Sequence, residues 1–293
     1  MIITRRDGAL TLIDQNEHGR FAGELVSAWG NEAFAPVGPV DAVREATARH
    51  DEGWALPDSE LMFNADAARP MHFIEIALED HIPLYRRGVH AIAAENPYAG
   101  LLVGMHWSGL YQSRWGMQDG SAGLRAQRGP ATPLQDGVVD EEERRWIDVK
   151  RGLWRDHGSR KDFESGLWHN FELLQAWDLL SLYASLSDLE SESAGGEARD
   201  VTAVLTDLEP AAGARLIRSV PTSLGGERAD IELRVVEPGV IAVDPYPFSV
   251  ARLEGSLRAR RIEDRRYAGA SDAAAAVAEA EEVTITFALV AAE

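Results

Sequence analysis

Apolar side chains recur every three or four positions through most of the first two thirds of the chain, which is the spacing of amphipathic helices. Asp14 precedes the first such stripe as a predicted N-cap, with Glu17 at the capping-box position. Asn96-Pro97 predicts another helix start, because Asn caps well and Pro suits the first helical position. The most apolar stretch, Ser165 to Ser185, is predicted to be a buried helix.

The segment Asp188 to Asp200 is rich in Ser, Glu and Gly and is predicted to be an exposed linker. After it, apolar residues no longer follow the helical spacing and instead recur at every second position, as in strands. Ile231 to Val235 and Val240 to Val243 alternate on either side of a Pro-Gly turn and predict a hairpin. The segment 1–13 predicts a second hairpin around Asp7-Gly8.

We therefore expect a mainly α fold, in which a helical bundle carries a smaller C-terminal α+β unit with an antiparallel sheet. The N-terminal hairpin is able to add strands to that sheet. The expected division is a hairpin at 1–13, a helical domain at 14–190 and an α+β unit at 200–293.

The chain has 29 basic and 48 acidic side chains, a net charge of −19, which disfavours nucleic acid and anionic membranes as partners. It contains no cysteine, so thiolate zinc sites, iron–sulfur clusters and cysteine nucleophiles are excluded. The first ten residues contain no apolar signal core, and no apolar run has the length of a membrane span. We expect a cytoplasmic protein.

Candidate metal ligands lie on the inward stripes of the predicted helices. His18 shares a stripe with apolar residues, His50-Asp51 ends a short helix, and Asp178 lies in the apolar stripe of the buried helix. Imidazole and carboxylate together suit borderline divalent ions. Structural explanations remain open for each: core histidines bonded to backbone carbonyls, a histidine at a helix C-terminus, and an Asp paired with an arginine.

The order of these residues, His18, then His50-Asp51, then Asp178, resembles the ligand motif of the HD superfamily of metal-dependent phosphohydrolases. The resemblance implies that the segment 14–190 is an HD-like helical bundle. Local motifs resemble, more specifically, an uncharacterised bacterial domain-of-unknown-function family that looks HD-like. They are Gln15-Asn-Glu-His-Gly, His50-Asp-Glu-Gly-Trp, Gly100 to Tyr111, Gln175 to Tyr183 and Pro245-Tyr-Pro-Phe. The interval between Asp51 and Asp178 is longer than in an ordinary HD domain.

The resemblance implies a function and a site. His18, His50, Asp51 and Asp178 would bind a divalent transition metal, namely Mn, Fe, Co, Ni or Zn, as one or two ions. The activity would be hydrolysis of a small phosphorylated substrate, with a nucleotide as one candidate.

Roles for further residues follow from the same expectation. Asp51 and His106 are the expected catalytic residues, with His106 or His81 acting as an acid or holding a second ion. The expected substrate-binding residues are Gln15, Trp54, Arg69 and His81.

Two alternatives stay open. The chain could be a non-catalytic HD-like module that binds a metal or small ligand, or a di-iron oxygenase. Glycine-rich phosphate loops, nucleophile elbows and dinucleotide fingerprints are absent from the sequence, which disfavours the common enzyme classes that depend on them. The sequence leaves the oligomeric state open.

Overall fold

The computed structural model describes residues 1–112, 132–156, 158–193, 197–205 and 208–292. Within these ranges the α-helices are α1 Gln15–Ala28, α2 Val40–Ala48, α3 Ala55–Glu60, α4 Leu78–Glu95, α5 Pro97–Tyr111, α6 Pro133–Leu153, α7 Arg160–Leu186 and α8 Ala270–Glu279. The strands are β1 Ile2–Arg6, β2 Ala9–Ile13, β3 Phe63–Asn64, β4 Arg69–Pro70, β5 Arg199–Asp200, β6 Arg215–Pro221, β7 Arg228–Glu237, β8 Val240–Asp244, β9 Arg252–Glu263 and β10 Glu282–Ala291.

One large sheet contains eight of these strands, in the order β1-β2-β9-β10-β8-β7-β6-β5. Its pairs are antiparallel except for β8 with β10 and β5 with β6, which are parallel. The N-terminal hairpin joins this sheet through β2, where Leu10 lies opposite Ile262 of β9. A separate two-stranded sheet pairs β3 with β4.

The predicted fold class is wrong. The chain is 49% helical, and its mixed, curled eight-stranded sheet is far larger than the small antiparallel unit that we expected. The pattern underestimated the sheet because β6 is irregular: its register against β7 shifts between Ile217 and Val220, which breaks the period of two. The parallel pairing of β8 with β10 left no local signal, since it joins segments that are distant in sequence.

The main apolar cluster contains side chains from the helices and from the inner face of the sheet. Helix α1 lies against the sheet, where Phe21 packs edge-to-face on Phe287 of β10 with ring centroids 4.9 Å apart. Gly255 of β9 leaves room for this contact, because a Cβ there would lie 2.5 Å from the Phe287 ring. The sheet thereby fixes α1, which carries the first candidate ligand. The expected division into domains stays a prediction.

Across the described parts of the chain, we find no helix whose length and apolar character would let it cross a membrane.

Candidate metal centre

The first turn of α1 is tied to the sheet by an acidic side chain. Asp14 occupies the N-cap position, but its side chain makes no capping hydrogen bond, so the predicted capping box is absent. Glu17 instead accepts hydrogen bonds from the backbone N–H of Arg258 (3.0 Å) and from its Nη2 (2.8 Å). These bonds hold the start of α1 on β9 and direct the next side chain, His18, into the core, where it is fully buried.

Two glycines let α1 approach the end of α2. A Cβ on Gly19 would lie 2.9 Å from the carbonyl oxygen of Ala48, and one on Gly23 would lie 2.6 Å from the Cβ of Ala48. Only glycine permits this approach, which puts His18 and His50 edge-to-face with ring centroids 5.0 Å apart. The backbone packing of these two helices therefore brings the first histidine to the His-Asp pair.

Asp51 lies in the turn that follows α2, and α4 packs closely on that turn. A Cβ on Gly53 would collide with the carbonyl of Leu84, and one on Gly88 would lie 2.7 Å from the Gly53 nitrogen. This contact brings Tyr85 of α4 to the site, where its hydroxyl donates a hydrogen bond to Asp51 Oδ1. Close packing at glycine thus positions the carboxylate as well as the histidine.

The remaining candidates come from the two most buried helices. The side chain of Asn96 caps α5, as predicted, by accepting from the backbone N–H of Tyr98 (3.1 Å) and of Ala99 (3.2 Å). Helix α5 brings His106 to a centroid distance of 4.9 Å from His50. From α7, Asp178 Oδ1 lies 3.4 Å from His50 Nε2. All these side chains are buried.

Hydrogen bonds determine which nitrogen of His50 and of His18 carries the ring proton. His50 Nδ1 donates to the backbone carbonyl of Thr47 (2.7 Å), which can only accept. The hydroxyl of Ser181 donates to the carbonyl of Asp178 (2.8 Å), so its oxygen accepts from His18 Nδ1 (2.9 Å). In both neutral rings the lone pair is therefore on Nε2.

Each of these lone pairs faces a carboxylate. His18 Nε2 lies 3.1 Å from Asp51 Oδ2, and His50 Nε2 lies 3.8 Å from the same oxygen. Two acceptors at such distances repel each other in a buried site unless a cation, either a proton or a metal ion, lies between them. His50 Nε2 is fully buried and makes no hydrogen bond within the described residues.

The charges of the cluster shift the affinities of its members for protons. Burial disfavours protonation of His50, but the neighbouring carboxylates of Asp51 and Asp178 outweigh it and raise its pKa to about 9. Burial also disfavours ionisation of Asp51, yet His50 and His18 hold the pKa of this carboxyl below its usual range. Burial and the charge of Asp51 raise the pKa of the Tyr85 hydroxyl. The cluster therefore favours a positive charge at its centre.

This cluster could hold a metal ion. Ligand atoms lie within 4.8 Å of one another in two overlapping groups, His18 with His50 and Asp51, and His50 with His106 and Asp178. The predicted metal ligands all belong to these groups, and so does His106. Their metal-binding and catalytic roles stay predictions.

A small cavity of about 30 Å³ opens beside the cluster. It is lined by Gln15, His18, Asp51, Trp54, Phe73, His81, Tyr85, His106, Leu110, Asp178, Leu182 and Leu205. Three of the predicted substrate-binding residues, Gln15, Trp54 and His81, are therefore at the site. The fourth, Arg69, does not line the cavity, since its guanidinium donates to both carboxylate oxygens of Glu75 (2.6 and 2.9 Å).

Three residues at the site were not predicted. Tyr85 bonds to Asp51, Ser181 orients His18, and the Tyr111 hydroxyl lies 2.6 Å from His81 Nδ1. A partial signal existed for Tyr85, because it follows His81 by four residues and therefore shares its helix face. Ser181 likewise follows Asp178 by three residues on α7.

Comparison with known proteins identifies a family. A family model described as "Protein of unknown function (DUF3891)" matches residues 1–264, which confirms the predicted resemblance to an uncharacterised family. Searches of curated proteins and of solved structures found no match. The resemblance to the HD superfamily stays an expectation.

Proposed function

Since the chain belongs to this DUF3891 family of proteins of unknown function, we propose its activity from the site itself: a metal-dependent phosphohydrolase acting on a small phosphorylated substrate. The proposed ligands of a divalent transition ion (Mn, Fe, Co, Ni or Zn) are His18, His50, Asp51 and Asp178. The observation that carries the proposal is the orientation of two imidazole lone pairs toward two buried carboxylates.

The spacing of the donor atoms supports a shared ion. Two atoms that each lie roughly 2.0–2.2 Å from one ion, at angles between right and tetrahedral, are about 2.8–3.6 Å apart. The distances from His18 Nε2 to Asp51 (3.1 Å) and from His50 Nε2 to Asp178 (3.4 Å) fall in that interval, and the distance from His50 Nε2 to Asp51 (3.8 Å) is slightly longer. At the other ring nitrogen, His50 has the backbone carbonyl that ligating histidines commonly have, and His18 has the hydroxyl of Ser181 in the corresponding place.

The side chains around the cluster supply positioning and proton transfer. When bound, a divalent ion lowers the pKa of a water molecule and polarises a phosphoryl oxygen. Tyr85 holds Asp51 in place through its hydrogen bond. His81 lies on the cavity wall with Nδ1 2.6 Å from the hydroxyl of Tyr111, and it is one candidate acid for protonation of a leaving oxygen. His106 is the other candidate acid, or a further ligand beside His50 and Asp178.

The test compares wild type with Asp51→Asn, which keeps the shape of the side chain but removes its charge. Bound metal is measured by elemental analysis after purification without chelator. Hydrolysis of generic phosphoesters is measured with Mn²⁺, Co²⁺, Ni²⁺ and Mg²⁺. We expect the variant to lose at least about 10–100-fold in metal affinity or activity, the scale set by changes to residues that only orient ligands. Asp230→Asn, at an exposed site on β7, is the matched control.

Equal rates for wild type and Asp51→Asn would contradict the proposal. His106→Ala separates the two roles of that histidine: loss of metal identifies a ligand, and loss of turnover with metal retained identifies an acid. A metal-binding module without turnover is a second candidate, favoured by the small volume of the cavity. Stable metal binding without hydrolysis of any phosphoester would support it.

A further inference from the structure

The walls of the cavity beside the cluster are mostly apolar. Beyond the histidines, carboxylates and Tyr85, the described lining residues are Trp54, Phe73, Leu110, Leu182 and Leu205, together with the amide of Gln15. These side chains come from separate parts of the chain, and all of them are buried. Apolar walls of this kind recognise the body of a ligand by contact area rather than by hydrogen bonds.

The cavity contains no lysine or arginine among its described lining residues. Arg69, which was expected at the site, is paired with Glu75, and Arg86 of α4 is paired with Glu141 (2.7 Å). Enzymes that act on polyphosphates neutralise the chain of phosphates with such cations. Among the described residues a bound metal would be the main positive charge, and the carboxylates of Asp51 and Asp178 already offset the two charges of one divalent ion. Each bound phosphoryl group therefore adds negative charge that these residues do not neutralise, so the charge balance disfavours a polyphosphate more strongly than a single phosphoryl group.

Two polar atoms on the walls remain available to a ligand. Gln15 Oε1 and Trp54 Nε1 are buried and make no hydrogen bond of normal geometry within the described residues, although Trp54 is close enough to the Tyr85 hydroxyl to oppose the rise in its pKa. A buried polar group without a partner is costly, so these atoms are candidates to bond a ligand group or water. One acceptor and one donor match a single small polar group, such as a hydroxyl, and are too few for a ribose and a base.

The size of the cavity leads to the same conclusion. Its volume of about 30 Å³ is far below the roughly 300–1,000 Å³ of pockets that enclose larger ligands. Any organic ligand would extend beyond this volume, and a nucleoside would extend much further than a compact ester.

We propose that the site takes a compact phosphomonoester with an uncharged, mainly apolar body and discriminates against nucleotides. This inference rests on the proposed function and replaces the nucleotide considered from the sequence. Apolar contact supplies the selectivity, and the limited positive charge of the site disfavours additional phosphoryl groups.

The test uses the metal-loaded protein with propyl phosphate, AMP and ATP, and measures release of inorganic phosphate. Propyl phosphate and AMP are both esters of a primary alcohol, so their leaving groups are similar and a difference reports recognition. We expect kcat/KM for propyl phosphate to exceed that for AMP by at least about tenfold, a usual discrimination for shape in an apolar pocket. ATP should be hydrolysed more slowly still.

A variant tests the origin of the selectivity. Phe73→Ala removes a ring from the wall and should reduce the preference for propyl phosphate over AMP. Phe63→Ala, which removes the same ring from β3 outside the cavity, should leave the preference unchanged. AMP hydrolysed faster than propyl phosphate by wild type, or a preference equal in wild type and Phe73→Ala, would overturn the inference while the phosphohydrolase proposal stands. No metal-dependent hydrolysis of any of the three would overturn both.

Discussion

His50 and His72 are equally buried, each 1% exposed, yet their surroundings give them opposite properties. His72 accepts from the backbone N–H of Ile3 at Nδ1 (3.0 Å) and donates from Nε2 to the carbonyl of Leu205 (3.0 Å). His50 is bonded to backbone only at Nδ1, and its Nε2 faces carboxylates. Burial lowers the pKa of His72 to about 4, whereas carboxylates raise that of His50 to about 9 despite its burial.

The difference shows how to separate a structural histidine from a candidate ligand. Burial alone does not distinguish them, and neither does a hydrogen bond to backbone, since both residues have one. The environment of Nε2 distinguishes the two residues. In His72 this nitrogen bonds to the carbonyl of Leu205 and so links that segment to β1, whereas in His50 it faces a carboxylate. A neutral lone pair beside carboxylates is the arrangement that a metal ion stabilises.

The largest expected effect is on metal binding. His50→Ala should reduce the affinity for Mn²⁺ or Zn²⁺ by more than roughly 100-fold, because it removes the nitrogen shared by both ligand groups. His72→Gln should keep wild-type affinity. In thermal unfolding, saturating metal should raise the Tm of wild type and of His72→Gln but not of His50→Ala. A His50→Ala protein that binds metal as wild type does would remove the distinction between the two histidines.

The next largest expected effect is on the pH dependence of the free energy of unfolding. His72 is neutral in the folded protein with a pKa of about 4, whereas its ordinary pKa is 6.5. The unfolded chain therefore takes up the proton first, and stability is full above about pH 6.5 and falls as the pH drops to 4. At about 1.4 kcal/mol per pKa unit, the loss reaches roughly 3 kcal/mol.

Urea unfolding of metal-free protein at pH 7 and pH 4.5 measures this loss. Wild type should lose more stability than His72→Gln between the two values, because the variant lacks the titrating ring. Equal losses in the two proteins would show that His72 does not keep the low pKa that its burial gives it.

The smallest effect concerns the partner of His18. Ser181→Ala removes the acceptor that orients the ring, while the ligand itself remains. We expect metal affinity to fall about 10–100-fold with the fold intact. Ser185→Ala is the matched control, since within the described residues its hydroxyl donates to the backbone carbonyl of Ser181, one turn earlier on α7. Calorimetric titration with Zn²⁺ or Mn²⁺ should separate the two variants.

Much of the cluster could be predicted because helix periodicity determines which way a side chain faces. His18, His50 and Asp178 were placed on inward stripes, and the structure brings them together. Periodicity does not specify which helices adjoin. The approach of Tyr85 to Asp51 depends on backbone contact at Gly53, and nothing in the spacing of the sequence indicates that contact.

The sheet was less accessible to prediction for a related reason. Local alternation predicted the hairpin of β7 and β8, which the structure contains. The pairings of β2 with β9 and of β8 with β10 join segments that are distant in sequence, and local sequence patterns do not specify which distant strands pair. Arg69 was expected at the site because a loop arginine suits an anion, but its pairing with Glu75 is a tertiary contact.

The pairing of β2 with β9 also bears on the order in which the molecule folds. Leu10 and Ile262 are separated by most of the chain, so their contact closes a long loop and is expected to form late. Helix α1 follows β2 directly, and Glu17 anchors the helix to Arg258 of β9. The ring of His18 thus reaches its final position only when this closure is complete. Metal uptake during refolding should consequently follow the slowest folding phase, and the rate at which the ion is captured would report the docking of the N-terminal hairpin.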